Sequence, residues 1–501
     1  MEPEITLGEL ETRIDDLSLD LDSESMREYG YRVIDWLIER LEGMRGETLG
    51  NELNREQTEE LLREGIPEQG GGFERVFGEY ASKVAPNSIA LDHPRFFAFI
   101  PSAPTFIGIL ADTLAAGTNV FAGTWLESSG PSQVELVVID WFKEMLGLPA
   151  EASGLLVSGG SVATLTALAA ARRAVLDENT QRATVYFSDQ THASVHRALR
   201  ILGMKTEQMH SLSTDAEYRL NTAELARCIR RDRELGLQPF LVIANAGTTN
   251  SGAIDPLTEI AEIAAENAMW FHADAAYGGF AALTERGRKL LKGIERADSV
   301  VLDPHKWLYC PFEAGCAIVR DGRLLRQTFR LLPEYLDDVV REDREVNFCD
   351  YGLHLTRSFR GLKVWMTIKT YGAGRLRKVI NQCLDLAEYA TRLFQDSPHL
   401  EIVTRPQLGV FTFRYVPGAL RKDGARGECS AGDLQRLNRL NEALVARIIA
   451  SRKLMLSSTW LGARRVLRFC VLNHRTRKEN VREALRLIEQ FGREVESDAA
   501  W

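Results

Sequence analysis

The stretch "GLLVSGGSVATLTALAAARRAVL", residues 154–176, passes from a short apolar run through a Gly-Gly-Ser turn into an alanine- and leucine-rich run. The first part has the length and composition of a buried strand, and the second favours a helix. Further apolar runs follow, with helical stretches between most of them: "TVYFSD" (184–189), "PFLVIANAG" (239–247), "MWFHADAA" (269–276), "SVVLDP" (299–304) and "GCAIVR" (315–320). This alternation predicts an α/β fold with a mostly parallel central sheet and helices on both faces.

Three regions separate along the chain. Residues 1–84 have apolar residues at helical spacing, and they predict a helical segment with too few apolar residues for much of a core of its own. Residues 85–375 carry the strand–helix alternation, and ligands of such sheets bind beyond the carboxyl ends of the strands. Residues 376–501 predict a small α+β domain, with helices around the strands "GVFTFRYV", "KLMLSST" and "RVLRFCVL".

Composition narrows the class of protein. The chain has 501 residues, 45% hydrophobic and 26% charged, as in globular proteins. A net charge of −9 without a lysine or arginine block argues against binding to nucleic acid or to an anionic membrane. The acidic N-terminus is unlike a signal peptide, and no uninterrupted apolar stretch predicts a membrane span. The seven cysteines are scattered without a CxxC pair, which is typical of free thiols in a reducing cytoplasm.

The glycine turn before the helix at 161–176 is a candidate phosphate site. Free backbone N–H groups and the helix dipole attract an anion there, and Gly160 and Ser161 stand at the turn. The turn lacks the lysine of a Walker loop, so it does not predict a nucleoside-triphosphate site. Glycines that only close a tight turn are the simpler interpretation of this motif alone.

Two further strand ends carry polar residues. Asp274 ends the run "MWFHAD", where burial would neutralise a carboxylate unless a cation such as a protonated ring nitrogen faces it. His192 follows the strand "TVYFSD", and it could stack on an aromatic ligand ring. His196 lies four residues on, but the glutamate of an HExxH motif and a third ligand are missing, so no metal site is expected. A structural hydrogen bond is the alternative for either residue.

The run "DPHKWLYCP", residues 303–311, places Lys306 between a histidine and a tryptophan at the end of a buried strand. Most lysines lie on solvated surface, but a lysine in a poorly solvated cleft loses its proton easily and becomes a nucleophile. A phosphate seat, a stacking histidine, an acid for a ring nitrogen and a lysine are together the parts that hold pyridoxal 5'-phosphate (PLP).

These residues lie in motifs that strongly resemble those of the group II pyridoxal-phosphate amino-acid decarboxylases. Within that group the likeness is to the aromatic L-amino-acid branch, which includes bacterial tryptophan and tyrosine decarboxylases. The resemblance runs from about residue 92 to the end of the chain, and the N-terminal helices match in kind only. The motifs that carry it are "VSGGSVAT", "SDQTHASV", "AGTTNSGAIDP", "HADAAYGG" and "DPHKW".

The resemblance implies a fold and an assembly. It implies fold-type I, the aspartate aminotransferase-like fold, with a large PLP-binding domain, a small C-terminal domain and an N-terminal helical flap. The boundaries expected here are 1–84, 85–375 and 376–501. It also implies a homodimer that exchanges the flaps and shares its active sites.

The resemblance also assigns cofactor roles. Lys306 looks like the lysine that holds PLP as a Schiff base, Asp274 like the partner of the pyridine nitrogen, and His192 like the residue stacked on the ring. The other positions that match cofactor contacts of the family are Gly160, Ser161, Thr249, Asp303 and His305. Asp303 departs from the asparagine of the animal enzymes. Because an anion repels a phosphate, Asp303 is expected to hold a backbone group or His305 instead.

The substrate pocket is expected on two segments, "LDHPRFFAFIPSAP" (91–104) and "NVFAGTW" (119–125), the second contributed by the partner subunit. The residues that match the substrate contacts of the family are Phe99, Pro101, Ser102, Phe121, Cys349 and Thr356. Neither segment offers an obvious cation for a side-chain carboxylate, and both suit a flat apolar side chain. Leu91, Phe121 and Cys349 depart from relatives of known preference, so phenylalanine, tyrosine, tryptophan and dopa all stay open.

The run "LLPEYLDDVVREDRE" (331–345) matches the loop that closes over the active site in the family, with Tyr335 in the place of the catalytic tyrosine. A solvated charged connector is the alternative. The expected reaction is decarboxylation of an aromatic L-amino acid to its arylalkylamine through a Lys306 Schiff base and a quinonoid intermediate. Aldehyde synthesis with oxygen, transamination, carbon–carbon cleavage and non-catalytic binding are the other hypotheses. Lys306 and Asp274 disfavour mere binding, and Tyr335 disfavours aldehyde synthesis, since aldehyde synthases of the family have phenylalanine there.

Overall fold

The structure of the protein is a computed structural model. It describes residues 5–14, 18–100, 102–177, 179–331, 344–420 and 430–498. The chain divides into two compact units, Met1–Ile89 and Ala90–Trp501. Within the described residues, no helix is both long enough and apolar enough to cross a membrane.

The first unit is helical, as expected. Its helices are α1 (Leu7–Glu11), α2 (Ser23–Gly43), α3 (Arg55–Leu62) and α4 (Phe73–Glu79). Asp22 caps α2 by accepting hydrogen bonds from the backbone N–H groups of Glu24 and Ser25, which α2 itself cannot satisfy. Large apolar side chains stay exposed in this unit, among them Leu7, Ile14, Tyr31, Ile66 and Val76.

The second unit is built on a seven-stranded sheet. Its strands are β1 (Ser153–Val157), β2 (Ala183–Ser188), β3 (Met209–Leu212), β4 (Gln238–Asn245), β5 (Trp270–Asp274), β6 (Ser299–Leu302) and β7 (Gly315–Val319). Their order in the sheet is β1-β7-β6-β5-β4-β2-β3, and β7 is antiparallel to both of its neighbours. All the other strands therefore run in one direction, which confirms the predicted mostly parallel sheet.

Helices accompany this sheet. They are α5 (Phe106–Thr118), α6 (Trp125–Leu146), α7 (Gly160–Val175), α8 (Ala193–Ile201), α9 (Thr222–Glu234), α10 (Leu257–Glu266), α11 (Glu285–Leu290), α12 (Pro304–Trp307) and α13 (Arg323–Phe329). The α7 side chains Ala163, Ala167, Ala170 and Ala171 are fully buried, because small side chains let this helix lie close to the central strands.

A second sheet follows the large one. It consists of β8 (Leu400–Thr404), β9 (Val410–Tyr415), β10 (Ser457–Leu461) and β11 (Arg464–Cys470), all antiparallel, in the order β10-β11-β9-β8. The accompanying helices are α14 (Gly361–Gln395), α15 (Ala431–Ser451) and α16 (Lys478–Ser497). This sheet has an aromatic core of its own around Phe394, Phe411, Phe413 and Phe469, as expected of a small α+β domain.

Candidate active site

A cavity of about 340 Å³ opens at the carboxyl ends of the parallel strands. Its size suits a small cofactor. All of the residues predicted to bind the cofactor line it: Gly160, Ser161, His192, Thr249, Asp274, Asp303, His305 and Lys306. Residues far apart in the sequence meet here, because strands that run in one direction end at the same edge of the sheet.

Lys306 lies on α12, the short helix that begins directly after β6 and Asp303. Its Nζ is 2.9 Å from Oδ2 of Asp303, and 20% of the lysine side chain and 4% of the aspartate side chain are exposed. The ammonium thus has a buried counter-ion, and its open side faces the cavity. The nearest carboxylate oxygen of Asp303 is 3.7 Å from His305 Nε2, too long for a hydrogen bond.

His305 is fixed by its backbone neighbours. Its Nδ1 accepts a hydrogen bond from the Ala314 backbone N–H at 3.1 Å, and its ring packs edge-on against Phe312. Burial lowers the pKa of His305 more strongly than the nearby Asp303 carboxylate raises it. The imidazole is therefore kept neutral near pH 7.

Asp274 is the last residue of β5, and its Oδ1 accepts a hydrogen bond from the Ala276 backbone N–H at 3.2 Å. Burial raises the pKa of the Asp274 carboxyl, while Lys306, this N–H group and His192 act in the opposite direction. A cationic group in the cavity would therefore stabilise the ionised form, as the sequence predicted.

His192 is the N-cap of α8. Its Nδ1 accepts a hydrogen bond from the Ser194 backbone N–H at 3.2 Å, so the neutral ring carries its proton on Nε2. His196 does not pair with it, since the His196 ring packs edge-on against Phe187, 4.7 Å between centroids. The cap fixes the plane of the His192 ring at the cavity wall.

The N-terminus of α7 lines the cavity beside α12. Gly159 stands at its N-cap, and no described side chain hydrogen-bonds to the first amides of the helix. A Cβ on Gly160 would lie 2.9 Å from Asp303 Oδ2, and a Cβ on Gly315 would lie 2.5 Å from the Gly159 backbone. Glycine is therefore required for this close approach, and the free amides stay open toward an anion.

Thr249 follows β4 and is held by Arg468, a residue that the sequence analysis missed. Arg468 is 3% exposed, and its Nη2 donates to the backbone oxygens of both Thr249 and Phe99. Its remaining contacts are Asn250 O at 3.0 Å and Ser457 Oγ at 2.7 Å. The side chain lies on β11, so the small sheet positions the cofactor loop and the segment of Phe99 together.

Backbone hydrogen bonds join the segment around Phe99 to the small sheet and the residues next to it. The backbone N–H of Phe97 donates to Met455 O, and the backbone N–H of Cys470 donates to Phe97 O, each at 2.9 Å. Phe99 has a φ of 52° and a 55% exposed side chain, while Ser102 is buried. The side chain of Phe99 is thus presented outward next to the carbonyl that Arg468 binds.

Phe121, Cys349 and Thr356 lie on segments that meet at Arg357. The Cys349 backbone N–H donates to Gly123 O at 3.0 Å, and a Cβ on Gly123 would clash with the Phe121 ring. The oxygens that the buried Arg357 guanidinium contacts are Glu135 Oε1 at 2.6 Å, Leu156 O at 2.8 Å and Ala122 O at 2.8 Å. This group does not line the cavity, and neither does Phe99 nor Ser102. Pro101 and Tyr335 lie outside the described residues.

Other lining residues also escaped the sequence analysis, namely Asn245, Thr248 and Tyr277. Tyr277 was quoted within "HADAAYGG" without a role, and its Oη accepts a hydrogen bond from the Gly409 backbone N–H at 2.8 Å. Asn245 ends β4 as Asp274 ends β5, so its position at a strand end was the available signal.

The lining fits PLP. The uncapped start of α7 offers backbone N–H groups to a phosphate, Asp274 offers a carboxylate to a ring nitrogen, and Lys306 offers an amine to an aldehyde carbon. These three groups match three different parts of the same cofactor.

Comparisons with known proteins agree with this site. The pyridoxal-dependent decarboxylase conserved domain matches residues 56–416. The chain is 40% identical to the aromatic-L-amino-acid decarboxylase of Bacillus atrophaeus over 95% of its length and 98% of the relative, and 31% identical to an Arabidopsis thaliana phenylacetaldehyde synthase over 94% and 96%. A crystal structure of Oryza sativa TDC with PLP and tryptamine superposes with a TM-score of 0.88 at 29% identity, covering 95% of this chain and 99% of that one. The chain belongs to the family of pyridoxal-dependent decarboxylases.

Proposed function

We propose that the protein converts aromatic L-amino acids to arylalkylamines and carbon dioxide, with PLP bound in the cavity. The convergence of Lys306, Asp274, His192 and the α7 N-terminus on one cavity carries the proposal. Bound PLP supplies a sink for the electron pair that the breaking Cα–carboxyl bond leaves behind. The names of the relatives support an aromatic substrate.

Lys306 is the amine that we assign to the cofactor. Lys306 is the only lysine among the described residues that line the cavity, and 20% of its side chain is exposed. A lysine must give up its proton before it can act as a nucleophile. We assign the release of product to the same amine, which would displace the product amine by forming its own bond to the cofactor's carbon.

Asp274 holds the proton on the ring nitrogen. Burial raises the pKa of its carboxyl, so an ionised Asp274 needs the positive charge of a protonated ring nitrogen opposite it. The Ala276 backbone N–H fixes one carboxylate oxygen and leaves the other available. His192 orients the ring from one face, and the α7 N-terminus with Gly160 and Ser161 holds the phosphate.

The aromatic preference rests on the segments that match the family's substrate pocket. The exposed Phe99 ring is fixed by its backbone contact to Arg468, and Phe121 packs against Gly123. The donors of Arg468 already contact Thr249, Asn250 and Phe99 backbone oxygens and a serine hydroxyl. An acidic substrate side chain would lose its hydration without gaining a free cation from this arginine.

A second candidate function is aldehyde synthesis with oxygen, which the likeness to a phenylacetaldehyde synthase favours. We infer that Tyr335 makes the amine the product instead of the aldehyde, because it donates a proton to Cα after carbon dioxide leaves. The identity of residue 335 as tyrosine supports this assignment.

We further propose a homodimer in the cytoplasm. The number of large apolar side chains that the first unit exposes, among them Leu7, Tyr31 and Ile66, supports a partner surface there. The described cysteines are free thiols, as in a reducing compartment. Sedimentation of the holoenzyme tests the dimer, and a monomer at micromolar concentration would contradict it.

Release of carbon dioxide tests the reaction. The PLP-loaded protein is incubated with carboxyl-labelled phenylalanine, tyrosine, tryptophan or dopa, and the label in the gas phase is compared with amine in solution. We expect equal amounts of both from at least one of these amino acids. Failure of all four to release labelled carbon dioxide would contradict the proposed function.

A further inference from the structure

Lys363 is a buried lysine on the first turn of α14, outside the lining of the cavity. Its side chain is 6% exposed, and its Nζ lies 2.8 Å from Oδ2 of Asp112 on α5. The same Nζ contacts three consecutive backbone oxygens in the loop after α12, those of Pro311, Phe312 and Glu313, at 3.3, 3.5 and 3.3 Å. A buried ammonium needs such partners in place of water, so Lys363 and this loop hold each other in position.

Residues 311–314, called the carbonyl loop below, have little else to fix them in the interior. Phe312 is 57% exposed, and the side chain of Glu313 is exposed and pairs with Arg360, a kind of contact that stabilises little. Three carbonyl oxygens that converge on one point repel each other unless a cation lies between them. Lys363 is the only donor to these three oxygens among the described residues, so its ammonium is the interior polar anchor of the loop.

The carbonyl loop sets the orientation of His305, which lines the cavity. The Ala314 backbone N–H donates to His305 Nδ1 at 3.1 Å, and the Phe312 ring packs edge-on against the imidazole with 5.0 Å between centroids. Because Nδ1 accepts, the neutral ring carries its proton on Nε2. Oδ2 of Asp303 is 3.7 Å from that nitrogen, too far to accept this hydrogen.

The imidazole lies beside the start of α7. Gly159 is the N-cap residue of that helix, and a Cβ on Gly159 would lie 3.4 Å from His305 Cε1. A donor on Nε2 and the free amides of α7 can therefore serve the same anion. A ring that turned away from the Ala314 N–H would present a C–H group where the N–H group now stands.

We propose that Lys363 is a positioning residue for the cofactor. Its ammonium holds the carbonyl loop, and the loop in turn holds His305 with its Nε2–H group toward the phosphate of PLP. Without the ammonium the three carbonyls move apart, the Ala314 N–H leaves Nδ1, and the imidazole loses its fixed orientation. The inference rests on PLP binding in the cavity, as in the proposed function, and it concerns retention of the cofactor, not the chemistry of decarboxylation.

Binding of pyridoxine 5'-phosphate to the full-length apoprotein tests this role, because the ligand has the ring and the phosphate but no aldehyde for Lys306. Its Kd is measured by calorimetry for the native protein, Lys363→Met, His305→Gln and the double variant. Lys363→Met should raise Kd about tenfold, since a hydrogen bond to a charged group is lost. In the His305→Gln background the same replacement should raise Kd less than about twofold, because the contact that Lys363 positions is already absent.

Phosphorus NMR of the bound pyridoxine 5'-phosphate gives a second readout, which a general loss of stability would not change. The resonance should shift between the native protein and Lys363→Met, and it should be the same in His305→Gln with and without Lys363→Met. Lys378→Met removes an exposed lysine from the same helix, so it should change neither Kd nor the resonance.

The same rise in Kd with and without His305 would overturn the inference, since Lys363 would then act as a distant charge or only on stability. An unchanged Kd in Lys363→Met would also overturn it. If Lys363→Met does not fold, Lys363→Gln takes its place in the cycle, with the same expected dependence on His305. Release of carbon dioxide by the native holoenzyme is measured separately, so a failure here is distinct from a failure of the proposed function.

Discussion

Arg357 and Glu135 form an ion pair in the protein interior, with 2.6 Å between Nη2 and Oε1 and with 2% and 1% of the two side chains exposed. The guanidinium also lies over the Phe348 ring at 4.9 Å. Because its contacts come from three separate segments, this pair fixes the place where the predicted substrate residues Phe121 and Cys349 come together.

Removing one partner of this pair should be costly. Arg357→Met leaves the Glu135 carboxylate buried without its cation, and we expect a loss of about 3–5 kcal/mol in unfolding free energy. Thermal unfolding of the variant measures the direction of the effect. The double variant Glu135→Gln with Arg357→Met should recover much of the loss, because the amide oxygen can still accept from the Leu156 backbone N–H. A double variant less stable than Arg357→Met alone would contradict this explanation.

Replacement of Lys306 should abolish turnover. Lys306→Ala removes the amine that binds the cofactor and releases the product, so amine formation should fall below detection. Borohydride reduction of the native holoenzyme followed by peptide mapping should place the cofactor on Lys306. The exposed Lys289 on α11 is the control, since its replacement by alanine should change neither result. Cofactor found on a different lysine would contradict the assignment of Lys306.

Asp274→Asn tests the partner of the ring nitrogen. The amide cannot balance a positive charge, so kcat should fall by about 10²–10³-fold with a smaller change in KM. Steady-state kinetics on protein of verified PLP content gives the result. Asp298→Asn serves as the control for loss of a half-buried carboxylate away from the cavity. Near-native kcat in the loaded Asp274 variant would refute the role.

Tyr335→Phe tests the choice between amine and aldehyde. Without the phenol, carbon dioxide should still leave, but protonation of Cα should slow by about 10²–10⁴-fold. Oxygen can then react in its place, so aldehyde and peroxide should appear. Products are measured by mass spectrometry in air and under nitrogen. If the variant makes amine at the native rate without aldehyde, His192 becomes the better proton donor.

The central strands could be predicted from the sequence because they are buried on both faces. All the residues of β2 are buried, and β4 is buried except for its first residue, so their apolar runs are continuous. The strands β3 and β8 went unpredicted. Each lies at the edge of its sheet and is partly exposed, so neither has a continuous apolar run.

The strand predicted at "KLMLSST" lies further along the chain than expected. The strand β10 begins at Ser457, because Met455 pairs instead with Phe96 of the substrate segment. Arg468 was missed for a related reason. Within "RVLRFC" it reads as an ordinary strand residue, and its acceptor Thr249 lies 219 positions away in the sequence. Spacing within a motif reports local neighbours, whereas such contacts arise only when distant segments of the folded chain meet.

The expectation for Asp303 can also be compared with its contacts. The sequence led us to expect a backbone group or His305, and the closest cation is Lys306, three positions on. Residues three apart on a short helix share a face, so this pair was predictable from spacing. The close approach of Asp303 to Gly160 was not, since Gly160 comes from another strand end.

The most direct test of aromatic decarboxylation is a competition in one vessel. The PLP-loaded protein receives equal concentrations of phenylalanine, tyrosine, tryptophan, dopa and glutamate, and the amines are quantified together by mass spectrometry at low conversion. Their ratios equal the ratios of kcat/KM, independent of the amount of active enzyme. We predict that an arylalkylamine predominates and that the glutamate product is formed at least about tenfold less, since the acid would be desolvated without a cation. A glutamate product equal to or above the best arylalkylamine would contradict the account.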